Sequence, residues 1–183
     1  PIEIISGRIK TPDSILDKAK RMNVPFEYID EKIHDIGGIR ITCKYLNDVY
    51  KVRDLLIQRN DFELIEERDY IKKPKPSGYR SLHLIVLYHV ETINGQIPVL
   101  LEFQIRTHAM HFWASIEHSI KYKYNKKIPQ EIKDRLINAS VAATKLDMEM
   151  SAIHQAMLEV DKDTDTEINH GDPMEKEIIL KKY

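Results

Sequence analysis

From Val99 to Arg106 the chain alternates, with Leu100 the one apolar exception. Val99, Leu101, Phe103 and Ile105 are apolar; Glu102, Gln104 and Arg106 between them are polar. Period-two alternation predicts a strand with one face on a core. The other face carries a carboxylate, an amide and a guanidinium in a row. That set can bind a metal or accept a proton (Glu102), orient a partner (Gln104) and hold a phosphate (Arg106). Two more stretches follow the pattern. Over 39–44, Ile39, Ile41 and Cys43 take one side and Arg40, Thr42 and Lys44 the other. A strand over about 80–90 places Tyr79, Ser81 and His83 on one parity, and Asn94-Gly95 is a hairpin signal joining it to the 99–106 strand. Residues 62–71 form a further, less regular strand candidate.

Helical spacing predicts the remaining elements. Thr11 caps and Pro12 opens a helix over 12–22, with Ile15, Ala19 and Met22 on its buried side and Ser14, Lys18 and Arg21 on another face. A second helix runs over 47–59, capped by Asn47 or Asp48, with Val49, Val52, Leu55 and Leu56 inward. A third covers 107–124. There His108, His111, Ser115, His118 and Tyr122 share a stripe, while Phe112, Ile116 and Ile120 face the core. From Pro129 to Val160, apolar residues recur in alternating steps of four and three: Ile132, Leu136, Ala139, Ala143, Leu146, Met150, Ile153, Met157 and Val160. Such a narrow heptad seam favours a partner subunit over a helix lying along its own domain. Residues 1–7 read as an extended lead-in. The stretch 161–183 reads as a mobile acidic tail with a short helix near Met174–Lys182. The expected order is α-β-α-β-β-β-α-α, one α/β (α+β) domain over 1–160, its mixed β-sheet flanked by helices and its last helix over about 129–160.

Composition narrows the class. In 183 residues, 42% hydrophobic and 31% charged side chains suit a folded domain with a real core. The net charge of −1 and pI near 6.8 argue against a general DNA or RNA binder. No apolar run approaches a membrane span. The single cysteine, Cys43, rules out an internal disulfide and reads as a small core residue; the expected compartment is cytoplasmic. The chain begins at Pro1 with no initiator Met, so an N-terminal piece is expected to precede it.

Three strands thus offer Arg40/Thr42/Lys44, Ser81/His83 and Glu102/Gln104/Arg106. If these parities converge, one sheet face is dry and the other crowded with charge. Burying such groups unpaired would cost several kcal/mol each. A polyanion with a metal would match them. Asp35 and Glu102 are the natural Mg²⁺ pair, because Mg²⁺ takes one or two carboxylates plus phosphate oxygens. Arg8, Lys10, Lys18, Arg21, Lys75 and Arg106 would neutralise phosphates. Gly37 and Gly38 permit a turn or close backbone approach. Lys72–Gly78 is a basic loop stiffened by Pro74 and Pro76.

Four ordered motifs carry a resemblance: Gly7-Arg8-Ile9-Lys10 with Ser14-Ile15-Leu16-Asp17-Lys18; His34-Asp35-Ile36-Gly37-Gly38-Ile39-Arg40; Ser77-Gly78-Tyr79-Arg80-Ser81-Leu82-His83; and Glu102-Phe103-Gln104-Ile105-Arg106-Thr107. Over about residues 3–150 they resemble the synthetase domain of the RelA/SpoT alarmone family. The chain shows no hydrolase or regulatory domain and is most similar to a small alarmone synthetase, RelP more than RelQ. The resemblance implies a nucleotidyltransferase-like fold that moves the β,γ-pyrophosphate of ATP to the 3′-OH of GDP or GTP, making (p)ppGpp and AMP in the stringent response. It implies Glu102 as general base and Asp35 as Mg²⁺ ligand. Arg8 and Arg40 would flank adenine, with Lys10, Ser14, Lys18 and Arg21 on the ATP phosphates. Tyr79 would stack on guanine and Lys75 and His83 would reach the acceptor phosphates, with Gln104 and Arg106 supporting the site. It also implies a homotetramer. One departure concerns His111, where the RelQ-type pattern has an asparagine linked to guanine recognition; acceptor preference among GDP, GTP and GMP stays open.

Other readings compete. The stripe of His108, His111 and His118 lacks a compact zinc-ligand spacing. Glu102, His83 and His111 can still converge, and Zn²⁺ bound there would inhibit by displacing Mg²⁺. A non-catalytic nucleotide-sensing module on the same fold would explain the basic cradle but has no need of Glu102 with Asp35. A single-stranded RNA binder would use Tyr79 and the basic loop, but would be expected to have a basic pI.

Overall fold

The computed structural model describes residues 1–124 and 128–169. Its elements are β1 (Ile2–Ile9), α1 (Pro12–Met22), a 3-10 turn (Phe26–Tyr28), α2 (Ile29–Lys32), β2 (Gly37–Cys43), α3 (Leu46–Ile57), β3 (Phe62–Asp69), β4 (Leu82–Thr92), β5 (Gly95–Thr107), α4 (His108–Lys123) and α5 (Gln130–Asn169). Five strands form one mixed sheet in the order β1-β2-β5-β4-β3. Only β2 and β5 run parallel; the other pairings are antiparallel. The expected mixed sheet flanked by helices is present, and the expected lead-in is a paired edge strand.

Register explains the two faces. Arg40 of β2 and His83 of β4 both lie opposite Gln104 of β5, so three polar side chains stand abreast on one face. The alternate positions Ile41, Cys43, Leu82, Leu84, Phe103 and Ile105 form a closed core with Val49 and Val52 of α3 and Met110 of α4. Cys43 is fully buried there, and burial with nearby Asp48 pushes its thiol up to about 11, which leaves it inert.

Several helix faces differ from the expectation. On α1 Ala19 is buried but Met22 is exposed, and on α3 Leu55 is exposed. α3 starts at Leu46 after Tyr45, with no side-chain cap from Asn47 or Asp48; Asp48 instead faces Lys51 at 3.4 Å. On α4 Phe112 is 70% exposed and Ile116 is exposed too, whereas Met110, Trp113, Ala114 and Glu117 are buried. The cause is α5, which takes the indole N–H of Trp113 on the carbonyl of Leu136 at 2.8 Å and rotates the inward side of α4 away from the expected stripe.

The chain divides into two units, Pro1–Asp147 and the part beginning at Met148. Within the first, α5 buries Ser140 and Asp147, while Leu146 on the heptad seam is exposed. In the second, seam residues Met150, Ile153, Met157 and Val160 are exposed. The helix does not stop near Val160 but runs to Asn169, since no glycine or proline interrupts it before Gly171. The short helix expected near Met174–Lys182 lies outside the described residues.

Candidate active site

Two glycines and a loop shape the polar face. Gly38 pairs with Glu102, and a Cβ there would stand 3.0 Å from the Glu102 carbonyl oxygen. Only glycine lets β2 lie this close to the carboxylate-bearing strand. At the other side Gly78 has φ +89°, and a Cβ on it would meet Ser140 at 2.8 Å. The Ser140 hydroxyl donates to the Gly78 carbonyl, which pins the basic loop to α5 and aims Tyr79 inward.

Tyr79, His83, Glu102, Gln104 and Arg106 close a hydrogen-bonded ring. His83 Nδ1 lies 2.8 Å from Glu102 Oε1, and Gln104 Nε2 donates to Glu102 Oε2 at 2.6 Å. Arg106 donates to Gln104 Oε1 at 2.9 Å and to the Tyr79 hydroxyl, which lies 2.8 Å from His83 Nε2. The guanidinium is the donor end of the ring and the ionised carboxylate the acceptor end. That polarity points an Nδ1 proton of His83 at Glu102 and sets Nε2 against the Tyr79 hydroxyl. Burial pushes the Glu102 carboxyl up, but His83 and Gln104 outweigh this and hold it below the usual carboxylate range, against the repulsion of Asp35. Glu102 is therefore ionised at neutral pH, and each of its oxygens retains a lone pair for a further donor.

Asp35, in the turn before β2, carries the second carboxylate. Lys10 approaches it at 3.0 Å and Lys18 at 2.7 Å. Burial raises this carboxyl, and the two lysines more than reverse that. Asp35 and Glu102 line one small cavity with Arg8, Arg40 and Gln104. The two acids that the sequence separates by 67 positions thus face the same space.

A larger cavity of about 590 Å³ adjoins, its wall shared through Arg8, Arg40 and Gln104 and completed by Lys75, Tyr79, Arg106 and residues of α4. Positive charge accumulates there, offset in the wall by Glu117. Arg40 Nε is buried with no hydrogen-bond partner, and burial and the neighbouring Arg106 and Arg8 lower its affinity for a proton. Lys75 Nζ sits between two rings, 4.4 Å from the centroid of Tyr70 and 5.0 Å from that of Tyr79. Such a wall is built for a polyanion.

The remaining expected residues are less central. Ser14 bonds Thr11, the N-cap of α1, and exposed Arg21 donates to the Asp17 carbonyl. His111 is half-buried, its Nδ1 lacks a partner, and burial with Arg40, Arg106 and His108 lowers its pKa. His108 faces Glu3 at 2.7 Å, so the histidine stripe does not converge as one group. Among the described residues no three His, Cys, Asp or Glu side chains cluster as metal ligands. Mg²⁺ does not require three, and the chemistry of two ionised carboxylates lining one small cavity fits it. Two residues escaped the sequence reading. Tyr70 packs edge-on against Tyr79 and His83, with centroids 6.1 and 5.2 Å apart, and Glu117 is a buried acid in the larger cavity. Tyr70 lies at the end of an irregular strand, where no alternation marked it.

The model of the region found in RelA / SpoT proteins matches residues 7–127. The chain belongs to the RelA/SpoT family. It is 51% identical to the GTP pyrophosphokinase YjbM of Bacillus subtilis over 153 residues, 84% of this chain and 72% of that one. It is 43% identical to the B. subtilis GTP pyrophosphokinase YwaC, covering 84% and 74%. Among solved structures, the B. subtilis small alarmone synthetase 1 bound to its product pppGpp superposes with TM-score 0.83 at 49% identity, covering 85% of this chain and 79% of that one. Small alarmone synthetases are thus its structural neighbours within the RelA/SpoT family.

Proposed function

We propose that the polar face of the sheet transfers the β,γ-pyrophosphate of ATP to the 3′-OH of GDP or GTP, with Glu102 as base. The chain is a GTP pyrophosphokinase that makes (p)ppGpp and AMP, the alarmone chemistry of the stringent response. One observation carries the residue assignment: Asp35 and Glu102 line a single cavity that opens beside a cationic one. A nucleotide sensor would need the cations but not the paired acids.

Arg8 and Arg40 offer guanidinium planes to adenine, and Lys10, Lys18, Ser14 and Arg21 lie along the path of the ATP phosphates. Lys10 and Lys18 now hold Asp35; phosphate oxygens would draw them off and free the carboxylate. Mg²⁺ held by Asp35 and Glu102 would supply positive charge against the charge developing on the leaving AMP. Glu102 takes the proton of the acceptor 3′-OH, a bond forms from O3′ to the β-phosphorus, and the bond from that phosphorus to the α-phosphate bridging oxygen breaks. Gln104 and Arg106 keep Glu102 oriented, and Lys75 would meet the acceptor phosphates. His83, expected on those phosphates, has both ring nitrogens engaged by Glu102 and Tyr79 and would reach them only by releasing Tyr79. Zn²⁺ at Glu102 and His83 would inhibit by excluding Mg²⁺; His111 does not join them as a third ligand among the described residues. Incubating the protein with labelled ATP, GDP and Mg²⁺, with and without Zn²⁺, and separating the nucleotides by thin-layer chromatography tests this. Absence of a slower-migrating labelled guanosine product refutes the transfer.

Tyr79 is assigned to the acceptor base. Tyr79→Ala should raise the KM for GDP about 10- to 100-fold, the worth of one stacked base, with the ATP KM unchanged. Steady-state kinetics with each nucleotide varied separately reads this, and a larger effect on ATP would refute stacking on guanine.

The open seam supports a homo-oligomer, with a tetramer the expected state. Met150 and Met157 lie exposed on it, seven residues apart. Replacing both with Glu should lower the molar mass measured by light scattering to that of the monomer. A wild-type monomer would defeat the proposal. Among the described residues no helix is long and apolar enough to cross a membrane. The buried free thiol of Cys43 accords with a reducing, cytoplasmic compartment.

A further inference from the structure

Within Pro1–Asp147, one face of α5 buries two polar side chains that have no task in the reaction, Ser140 and Asp147. They stand seven residues apart, two helical turns, and so share a face. Thr144 lies between them, with its hydroxyl on the Ser140 carbonyl at 2.9 Å. Burial pushes the Asp147 carboxyl up, although the Thr107 hydroxyl and the charges of Arg80 and His108 pull the other way. An acid in such a place costs stability unless its bonds secure something else.

Each of the two bonds next to an acceptor-side residue. Ser140 donates to the carbonyl of Gly78, one residue before Tyr79. The Gly78 N–H in turn donates to the Lys75 carbonyl at 2.8 Å, so whatever fixes Gly78 also fixes the turn that carries Lys75. Asp147 Oδ2 accepts from the Thr107 hydroxyl at 2.7 Å, one residue after Arg106. Thr107 is fully buried, and the same hydroxyl accepts the Met110 N–H at 3.2 Å as the N-cap of α4. With its proton committed to Asp147, its lone pair turns to that N–H. Between the two anchors Arg106 donates to the Tyr79 hydroxyl, its guanidinium 5.1 Å from the centre of the ring. Arg106 is held in β5, but Tyr79 precedes β4 and lies outside the ladder. The sheet alone does not align them; α5 bonds to both sides.

We propose that Ser140 and Asp147 are positioning residues for the acceptor. From one face of α5 they fix the Gly78 carbonyl and the Thr107 hydroxyl, and through them hold Tyr79 against Arg106. Neither touches a nucleotide. The inference rests on the pyrophosphokinase reading, with the acceptor on Tyr79.

Initial rates of GDP-dependent AMP formation, with each nucleotide varied separately, are the test. Ser140→Ala and Asp147→Ala should each raise the KM for GDP about two- to tenfold, the worth of one hydrogen bond, and leave the ATP KM unchanged. Asp147→Asn keeps a carbonyl to accept from Thr107 and should restore the wild-type GDP KM. Thr144→Val removes only the intrahelical bond on the same face. It should lower the melting temperature without moving either KM, which separates positioning from general loosening. Thr107→Val cuts the Asp147 bond from its other end and serves if Asp147→Ala does not fold. A wild-type GDP KM in Ser140→Ala, or in the variant that breaks the Asp147 bond, overturns the proposal. So does an equal rise in the ATP KM, or a Thr144→Val enzyme with the same rise in GDP KM. Absence of product from wild type would overturn the pyrophosphokinase reading, and this proposal with it.

Discussion

Glu102→Gln is expected to lower kcat by about 10²–10⁴-fold, the range for removing a general base, while the affinity for a non-hydrolysable ATP analogue stays unchanged. At 1.36 kcal/mol per decade this is about 3–5 kcal/mol of transition-state stabilisation. The structure says why the effect should fall on turnover. Glu102 is buried and lines the small cavity it shares with Asp35. Its partners His83 and Gln104 orient it. The amide cannot accept a proton at neutral pH. It also reverses one link in the ring, since its NH₂ would face the NH₂ of Gln104. Gln104 must then flip and forfeit the bond from Arg106, a loss of about 1–2 kcal/mol in stability. Calorimetric binding of the analogue together with single-turnover rates separates the two effects. Wild-type turnover in this variant would remove Glu102 as the base.

Asp35→Asn is expected to reduce kcat/KM by about 10²-fold or more, because several kcal/mol of charge stabilisation depends on the carboxylate. Raising Mg²⁺ should not restore the rate. A second effect is on the fold. Asp35 neutralises Lys10 and Lys18, and its side chain is only 24% exposed, so the variant leaves two ammonium groups without their shared counter-charge. The folded-state pKa of Asp35 lies below its ordinary value. Its contribution to stability is therefore present above the unfolded pKa, near 4, and is lost as pH falls through the lower folded value. Urea midpoints for wild type and variant should differ at pH 7 and converge in acid. A gap that does not narrow as pH falls through the lowered folded-state pKa, or full activity in the variant, would refute the role assigned to Asp35.

Much of this arrangement was legible in the chain. The alternations at Arg40/Thr42, Ser81/His83 and Glu102/Gln104/Arg106 predicted one polar face, and the register sets Arg40, Gln104 and His83 abreast. Period two is a property of each strand alone, so it can be read before any neighbour is known. The positive-φ turns at Gly78 and Gly95 and the Thr11 cap were legible for the same reason, because their causes lie within a few residues.

Errors gathered where a neighbour decides. Phe112 and Ile116 looked like the inward side of α4, but Trp113 reaching Leu136 turned the helix. Residues 1–7 gave no alternation long enough to announce a strand, and only pairing with β2 makes them one. The hydrogen-bonded ring spans residues 79–106 and depends on the register of β4 against β5. Tyr70 and Glu117 carried no motif; one was revealed by the rings around it and the other by the cavity it lines.

Local order along the chain was enough to name the family, four of the five strands and the residue types on the polar face, since backbone periodicity and short motifs are short-range effects. Which groups bond to one another, which acid has a partner in line and which helix face turns inward came from packing. Those outcomes depend on contacts between residues distant in sequence, and no single segment encodes the position of another.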